Sequence, residues 1–299
     1  MGEFLLLGPV SKDTIIKDQQ KSQTVGGAVY YQSKVFDGLG LKYKVAATLA
    51  KEDKNILDYF PDKTNVYPIF KPETVKFENN YYDDNPDHRI QRSNAPEIPI
   101  TPENIFRVLS KMRGQCDGVL LGPLLPTDIP LETILFLNKN NFPIYLGLQG
   151  YLRCFEGCDI SLEPLKEIKN LLKLVNILFL DEKEARVMGN PQDKLEEIAE
   201  DISQNGPQEV IITCGSRGSI IYSKKYGRAF RIMPYAPIRI NDPTGMGDTY
   251  MAAYISRKLV NEHPLDCGKF ASMVSTIKLE SLDGFNKNWK YVEKRMRNG

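Results

Sequence analysis

The sequence predicts an α/β fold, in which a mostly parallel central sheet carries helices on both faces and a small β-sheet forms a lid. Three observations support this prediction. Short aliphatic runs recur along the chain, amphipathic segments separate them, and two stretches depart from the alternation. We expect a single domain over residues 1–299, because the chain shows no interdomain linker, internal repeat or low-complexity tract, and α/β domains of this size are common.

Six apolar runs have the length of a strand and end near Gly, Asp or Pro: EFLLLGP, KVAATLA, DGVLLGP, FPIYLGLQ, VNILFLDE and EVIITCG. Strands that are apolar almost throughout are typical of sheets covered on both faces. In the amphipathic segment TPENIFRVLSKMRG, we expect Thr101 to cap a helix, Pro102 to lie in its first turn and Gly114 to end it. The segment NPQDKLEEIAEDISQNGP has similar signals, and such alternation predicts parallel strands joined by helices.

Lid segments are expected near residues 11–24 and 64–93, where the alternation breaks. TVKFENNYY and HRIQRS flank an Asp-Asn-Pro-Asp turn, which predicts a hairpin. The pattern fits either a small sheet over a cleft or an edge extension of the main sheet. Five side chains of the hairpin are candidates for substrate contact or for lid-to-core packing: Phe77, Tyr81, Tyr82, His88 and Arg89.

Charge and composition exclude several classes of partner. The formal net charge is +1, which gives no electrostatic reason to expect nucleic acid or an anionic membrane. No apolar stretch approaches the roughly 20 residues that span a bilayer, and the N-terminus lacks the basic region of a signal peptide. Five cysteines in a long chain indicate reduced thiols and a cytoplasmic location. The spacing of Cys154 and Cys158 could serve a metal, but apolar thiols are the favoured interpretation.

The stretch NDPTGMGDTYMAA, residues 241–253, places glycines and acids before a predicted helix. Gly245 and Gly247 allow the backbone N–H groups around Met246 to turn toward one point, where the helix dipole adds positive charge. An anion alone would be repelled by Asp248. The combination suits a hydroxyl that loses its proton to Asp248 while it attacks a phosphoryl group held by the 245–248 backbone as an anion hole. The alternative is a helix cap with no catalytic role.

The sequence DPTGMGDTY resembles the C-terminal signature Asp-Thr-x-Gly-Ala-Gly-Asp of the ribokinase-like, or PfkB, carbohydrate kinase family. Asp242, Gly245, Gly247 and Asp248 match this signature. Met246 replaces the usual alanine, which a site built from backbone amides tolerates. The resemblance implies a ribokinase-like fold with a β-sheet lid, and it runs from the first strand to near residue 285.

Other stretches extend the resemblance. FLLLGPVSKDTI and TVGGAVYY resemble the family's substrate-binding elements, which implies substrate binding by Asp13, Gly26 and Gly27. The turn TCGSRGS resembles the one beside the nucleotide. The resemblance thus implies three nucleotide-binding residues: Gly215, Gly218 and Asp242.

LDEKEA resembles the element near the magnesium and phosphates, with Glu184 matching its glutamate and Asp181 standing where asparagine is usual. This implies that Glu184 and Asp181 order Mg2+ through water. Arg153 follows a predicted strand at the end where α/β sheets bind ligands. It is therefore a candidate for binding substrate or a phosphate, against the alternative of a surface arginine.

The resemblance implies an ATP- and Mg2+-dependent kinase that phosphorylates a hydroxyl of a small sugar or cyclic polyol. GGAVYYQSKVFDGLG and LQGYLR resemble the inositol-kinase-like branch more than ribokinase itself. A nucleoside kinase and a catalytically silent sugar- or nucleotide-binding regulator are the alternatives. Lidded relatives often pair their small sheets, so an apolar outer face near residues 64–93 would indicate a homodimer through the lid. The alternation there is too irregular to choose between dimer and monomer.

Overall fold

The computed structural model describes residues 2–17, 20–81, 89–112, 115–164, 167–260 and 263–298. Gly114, Tyr82, His88 and the predicted Asp-Asn-Pro-Asp turn lie outside these ranges.

Strands occur throughout the described residues. In chain order they are β1 (Glu3–Pro9), β2 (Ser11–Lys17), β3 (Gln20–Gly26), β4 (Tyr43–Ala50), β5 (Val66–Lys71), β6 (Val75–Tyr81), β7 (Arg89–Ser93), β8 (Cys116–Leu121), β9 (Ile144–Gly147), β10 (Arg153–Glu156), β11 (Asp159–Leu162), β12 (Ile177–Asp181), β13 (Glu209–Thr213), β14 (Ser219–Ser223) and β15 (Arg228–Ile232).

Helices alternate with these strands. They are α1 (Ala28–Gly38), α2 (Pro102–Leu109), α3 (Leu131–Lys139), α4 (Gln149–Leu152), α5 (Ile168–Leu172), α6 (Glu182–Met188), α7 (Leu195–Gln204), α8 (Met246–Lys258), α9 (Pro264–Leu279) and α10 (Trp289–Asn298). Three 3-10 helices cover Lys51–Tyr59, Lys63–Asn65 and Gly215–Arg217.

The main sheet has the strand order β15-β14-β13-β12-β9-β8-β1-β4-β5. The six apolar runs of the sequence form its contiguous centre, from β13 to β4, and pair in parallel. Within the described part of this sheet, only the β13–β14 and β14–β15 pairings are antiparallel. The predicted α/β class and the mostly parallel sheet are confirmed.

Helices cover both faces of this sheet, and β1 shows how the sequence achieves it. Phe4 and Leu6 join one buried cluster, with residues of α1, α8, α9 and α10. Leu5 and Leu7 join a second cluster on the opposite face, with residues of α2, α3 and α7. Because side chains alternate along a strand, a continuous apolar run supplies both layers of the core.

A second sheet has the order β10-β11-β7-β6-β2-β3. It lies over a smaller apolar cluster that includes Val75, Phe77 and Leu125. We call it the lid sheet.

The lid segments differ from their predicted boundaries. Val66–Lys71, inside the predicted 64–93 segment, is the edge strand of the main sheet and pairs in parallel with β4. Pro68 suits that position, because proline lacks the N–H that a central strand would need. Conversely, β10 and β11 complete the lid sheet, although the sequence did not suggest strands there.

Among the ranges that the structure describes, no helix is both long and apolar enough to cross a bilayer.

Candidate active site

Most of the predicted site residues lie at one edge of the main sheet. Asp13 follows β1, Arg153 follows β9 through the short helix α4, Asp181 ends β12 and Gly215 follows β13. These four strands run parallel to one another, so their carboxyl ends share an edge. Ligands of open α/β sheets bind at this edge.

The N-terminus of α8 is shaped by Gly245. This residue caps the helix with a left-handed backbone, at φ 69°, and a Cβ atom there would collide with the ring of Tyr31. Gly247 differs, because a Cβ atom there would meet nothing within 4 Å. Gly245 is therefore required by the turn and its packing, whereas Gly247 borders open space.

The first amides of α8 point out of the helix. Thr249 N donates to Gly245 O at 3.0 Å, and this is the first bond of the regular ladder. The amides of Met246, Gly247 and Asp248 precede it and have no acceptor within the helix. Together with the helix dipole they can bind a phosphate or a developing negative charge.

Asp248 lies in the first turn of α8 and is partly buried. Burial raises the pKa of its carboxyl group to about 6, and the positive charges of Arg153 and Lys278 act in the opposite direction. A carboxylate with this pKa is ionised at neutral pH and is a stronger base than an ordinary aspartate. This is the property that a general base for a hydroxyl requires.

Asp242 holds the turn that leads into α8. Its Oδ1 accepts a hydrogen bond from Thr244 N at 2.9 Å, and its Oδ2 accepts one from Lys278 Nζ at 2.8 Å. Both oxygens are thus engaged, which favours the turn-capping interpretation over direct contact with a nucleotide. Sequence reasoning missed Lys278; a lysine within the apolar segment FASMVSTIKL was the available signal.

Arg153 is 6% exposed, so the surface-arginine interpretation is wrong. Its guanidinium donates to Leu124 O at 2.8 Å and to Gln91 Oε1 at 3.1 Å. It also lies over the ring of Phe77, 4.6 Å from the ring centroid. Gln91, Phe77 and Arg153 itself, at the start of β10, belong to the lid sheet, and the bond to Leu124 O ties this sheet to the segment after β8 of the main sheet.

Asp13 lies on β2, where the chain leaves the main sheet and enters the lid. Its Oδ1 accepts a hydrogen bond from Ser11 Oγ at 2.7 Å. A Cβ atom on Gly26 would lie 2.5 Å from Asp13 Oδ2, and one on Gly27 would lie 2.5 Å from Pro9 O. The di-glycine therefore makes room for the Asp13 carboxylate and for close backbone packing.

Tyr31 connects Asp13 with the α8 turn. Burial and the negative charges of Asp242, Asp13 and Asp248 raise the pKa of its hydroxyl. Its place four residues after the di-glycine motif was the sequence signal for this residue.

The inner face of the lid sheet carries polar side chains beside the apolar cluster of Val75 and Phe77. Strand register places two cross-strand rows on this face, and they consist of Asp13, Phe77 and Ser93, followed by Ile15, Asn79 and Gln91. Phe77, Asn79 and Ser93 are buried. Gln91 Nε2 donates to Asn79 Oδ1 at 2.8 Å, which extends the Arg153 contact across the sheet. This face presents hydrogen-bonding groups toward the site.

Asp181 and Glu184 form a capping box at the start of α6. Glu184 N donates to Asp181 Oδ1 and Asp181 N donates to Glu184 Oε2, both at 2.8 Å. Burial and the Asp181 charge raise the pKa of Glu184. No group of three His, Cys, Asp or Glu side chains that could hold a metal exists among the described residues. These residues therefore fit Mg2+ only through water, with phosphate oxygens as the direct ligands.

Gly215 and Gly218 bound the 3-10 turn between β13 and β14, which Cys214 N closes by donating to Gly218 O at 2.8 Å. Three exposed aliphatic side chains follow in the chain between β15 and α8, namely Met233, Ile238 and Ile240, and Leu282 is exposed just after α9. The segment that carries the first three is attached to α9 by Thr276 Oγ1, which donates to Tyr235 O at 3.4 Å.

The comparisons with known proteins agree with this fold. The model of the family described as pfkB family carbohydrate kinase matches residues 155–289. A cytidine kinase of Thermococcus kodakarensis is 23% identical over 280 residues, which are 86% of this chain and 88% of that protein.

Solved structures match over nearly the whole chain. A pyrophosphate-dependent kinase of the ribokinase family, complexed with a pyrophosphate analog and myo-inositol, has a TM-score of 0.80 at 21% identity and covers 98% of this chain and 99% of its own. Arabidopsis thaliana ribokinase, complexed with ribose and ATP, has a TM-score of 0.76 at 16% identity and covers 99% of both chains. The family model thus matches the C-terminal part of the chain, which includes the α8 turn, and the solved structures show that the whole chain has a ribokinase-like fold.

Proposed function

We propose that this protein transfers the γ-phosphoryl group of ATP to a hydroxyl of a small sugar or cyclic polyol. Asp248 is the general base, and the amides of residues 245–248 form the anion hole. The observation that carries the proposal is the pairing of a carboxylate whose pKa is raised to about 6 with the outward-pointing amides of its own helix.

The chemistry follows from this pairing. The acceptor hydroxyl donates its proton to an Asp248 oxygen as its own oxygen attacks the phosphorus atom. The bond from phosphorus to the leaving oxygen breaks, and ADP leaves with the electron pair. The helix amides stabilise the charge that develops on the transferred group. Mg2+ bound to the phosphates would neutralise part of their charge, with Glu184 and Asp181 ordering its water ligands.

The polar side chains on the inner face of the lid sheet support a polyhydroxylated acceptor. Asp13 and Asn79 present carboxylate and amide groups there, and Phe77 is already stacked against Arg153. Hydrogen-bonding groups with fixed positions suit a molecule with several hydroxyls, whereas a base would favour an aromatic or apolar platform. The structural match to a kinase complexed with myo-inositol supports the inositol-kinase-like branch within this class.

The exposed aliphatic side chains beyond Gly218 support a nucleotide donor. Met233, Ile238 and Ile240 are 75%, 79% and 72% exposed. One exposed aliphatic side chain is ordinary, but three within one short segment are a candidate for an apolar binding surface. An adenine base would cover apolar surface here, and pyrophosphate has no group that could. ATP is therefore the proposed donor, and pyrophosphate is the alternative to test.

A nucleoside acceptor is the second candidate. It is supported by the similarity to a cytidine kinase over 86% of this chain. A silent regulatory relative is disfavoured because the base and the anion-hole glycines are all present. A homodimer through the lid sheet and a cytoplasmic location stay predictions.

The test crosses two donors with a panel of acceptors. Purified protein with Mg2+ receives ATP or pyrophosphate and one pentose, hexose, inositol or nucleoside, and the phosphorylated product is identified by mass spectrometry. Asp248→Asn runs in parallel. Asp266→Asn is the matched control, because Asp266 is likewise an acid in the first turn of a helix.

Product from ATP and a sugar or polyol, lost in Asp248→Asn and retained in Asp266→Asn, is the expected result. The loss should be on the order of a hundredfold or more. If a nucleoside phosphate is the main product, the acceptor is a nucleoside and not a sugar or polyol. If only pyrophosphate supports turnover, the donor is pyrophosphate and not ATP. Equal turnover in wild type and Asp248→Asn would contradict the assignment of the base.

A further inference from the structure

Lys278 on α9 is a charged side chain in the protein interior. Its side chain is 0% exposed. Its Nζ donates to Asp242 O at 2.8 Å, to Asp242 Oδ2 at 2.8 Å and to Thr244 O at 2.5 Å. An ammonium has three N–H groups, so residues 242–244 supply one oxygen for each of them. We call these three oxygens the oxygen cradle.

Helix packing alone does not explain a lysine at this position. Burial opposes the charged form of Lys278 and lowers its pKa, while Asp242 and Asp248 favour the charge. Replacing a buried ion pair by apolar residues is often neutral or stabilising. An ammonium at this point therefore indicates a role for the positive charge.

The oxygen cradle lies in the three residues that immediately precede Gly245, the cap of α8. Fixing their carbonyl groups fixes the direction in which the chain enters the anion hole. The ring of Tyr31 flanks the ammonium, with its centroid 5.4 Å from Nζ. The Lys278 charge also acts on Asp248, although the side chain has no exposed surface through which to touch a substrate.

Building on the proposed kinase activity, we propose that Lys278 is a positioning residue whose ammonium serves as a built-in monovalent cation. It holds the turn at residues 242–244 and places positive charge behind the anion hole, so the enzyme needs no dissolved monovalent cation. The acceptor side of the site, around Asp13 and the lid sheet, does not depend on it.

Lys278→Ala tests this proposal, because it removes the ammonium and leaves the oxygen cradle facing an empty space. We expect kcat to fall roughly a hundredfold, with less than about a threefold change in the acceptor KM. Ammonium, methylammonium or potassium at tens of millimolar should restore a large part of kcat, while tetramethylammonium at equal ionic strength should not. Wild type should be equally active in all four salts.

Two further variants separate positioning from stability. Lys278→Met fills the space with an apolar chain, so it should lose kcat and gain nothing from added cations. Lys258→Ala is the matched control. Lys258 Nζ contacts Glu209 Oε1 at 2.8 Å and its side chain is 25% exposed, but it lies at the opposite end of α8. This variant should lose stability and show no activation by cations.

Three results would overturn the role of Lys278: a folded Lys278→Ala variant with wild-type kcat, one whose lost activity no small cation restores, or a wild type that itself requires potassium. If Lys278→Ala does not fold, wild-type kcat in Lys278→Met overturns the role equally.

Failure of the proposed kinase function gives a different pattern, in which wild type turns over no donor–acceptor pair. The melting temperature then decides the role of Lys278. Ammonium or potassium should raise the melting temperature of Lys278→Ala above its value in tetramethylammonium, and equal values in these salts would overturn the built-in cation.

Discussion

The substitution Asp248→Asn should abolish activity and raise stability at the same time. The carboxylate is needed in its charged form for proton abstraction, but its surroundings penalise that form. Its pKa rises from the ordinary 3.8 to about 6 in the folded protein. A site that is built for catalysis at the expense of stability gives opposite signs in the two measurements.

The size of the stability change follows from this shift. A shift of roughly 2 units corresponds to about 3 kcal/mol. Since the carboxylate is partly exposed, water screens part of this penalty and 3 kcal/mol is an upper bound. Between pH 4 and 6 the Asp248 carboxyl is protonated in the folded state but ionised in the unfolded state. The loss of folding free energy caused by Asp248 therefore develops across about this interval. It is complete above about pH 6 and absent below about pH 4.

The assay compares wild type, Asp248→Asn and Asp266→Asn by thermal unfolding at about pH 4 and pH 7.5 and by turnover with ATP at pH 7.5. Asp248→Asn should melt higher than wild type at pH 7.5, by no more than several degrees, and the difference should shrink at pH 4. A lower melting temperature at pH 7.5, or retained turnover, would refute the assignment of a desolvated base.

Three other perturbations test neighbouring features. For wild type, kcat/KM should fall about tenfold per pH unit below pH 6. Because Arg153 lowers the pKa of Asp248, the substitution Arg153→Met should move this acidic limb of the pH–rate profile to higher pH. An unmoved limb would refute the coupling between the two residues. Gly245→Ala should lose at least about 1–3 kcal/mol through its positive φ and its collision, whereas Gly247→Ala should stay folded, and urea unfolding of both variants compares them. Trp289→Ala should lose about 3–5 kcal/mol, because the indole donates to Leu39 O at 2.8 Å and stacks on a buried phenylalanine; an unchanged urea midpoint would show that α10 is not docked.

The centre of the fold was predictable because it depends on local pattern. The run EFLLLGP is apolar almost throughout, which predicts that β1 is buried on both faces. In the structure Phe4 and Leu6 pack into one buried cluster, and Leu5 and Leu7 pack into the other. Six such runs with helices between them leave few arrangements other than a parallel sheet. The cap at Thr101 was also readable, because Pro102 follows it and the helix begins there.

The edges of both sheets were not predictable from local pattern. Val66–Lys71 joins β4 rather than the lid because of a long-range pairing that its own residues do not specify. The same holds for Arg153–Glu156, which turns back on Asp159–Leu162 to complete the lid sheet.

Within the site, the α8 turn was readable from its glycines and acids, since they act through the backbone of one segment. The partners of Lys278 were not, because its three acceptors lie 34 to 36 residues earlier in the chain and only the folded protein brings them together. The spacing of Asp181 and Glu184 is that of a capping box, so the sequence was sufficient to predict their capping contacts. The family resemblance implied a magnesium site for the same two residues.

The division of the site between the two sheets has a consequence for how new specificities can arise. In the proposed function, the groups that face the acceptor belong to the lid strands, including Arg153 on β10, whereas the groups that act on the phosphoryl donor belong to α8, α9 and the turns before them. From Thr249 to Ser256, α8 is buried in the main core, so it tolerates little change. The lid strands carry far fewer core contacts, and substitutions at positions such as Asn79 can alter the choice of acceptor while the phosphoryl-transfer apparatus stays intact. Under the proposed function, acceptor choice and transfer chemistry are thus separately mutable at lid positions other than Arg153, whose charge acts on Asp248.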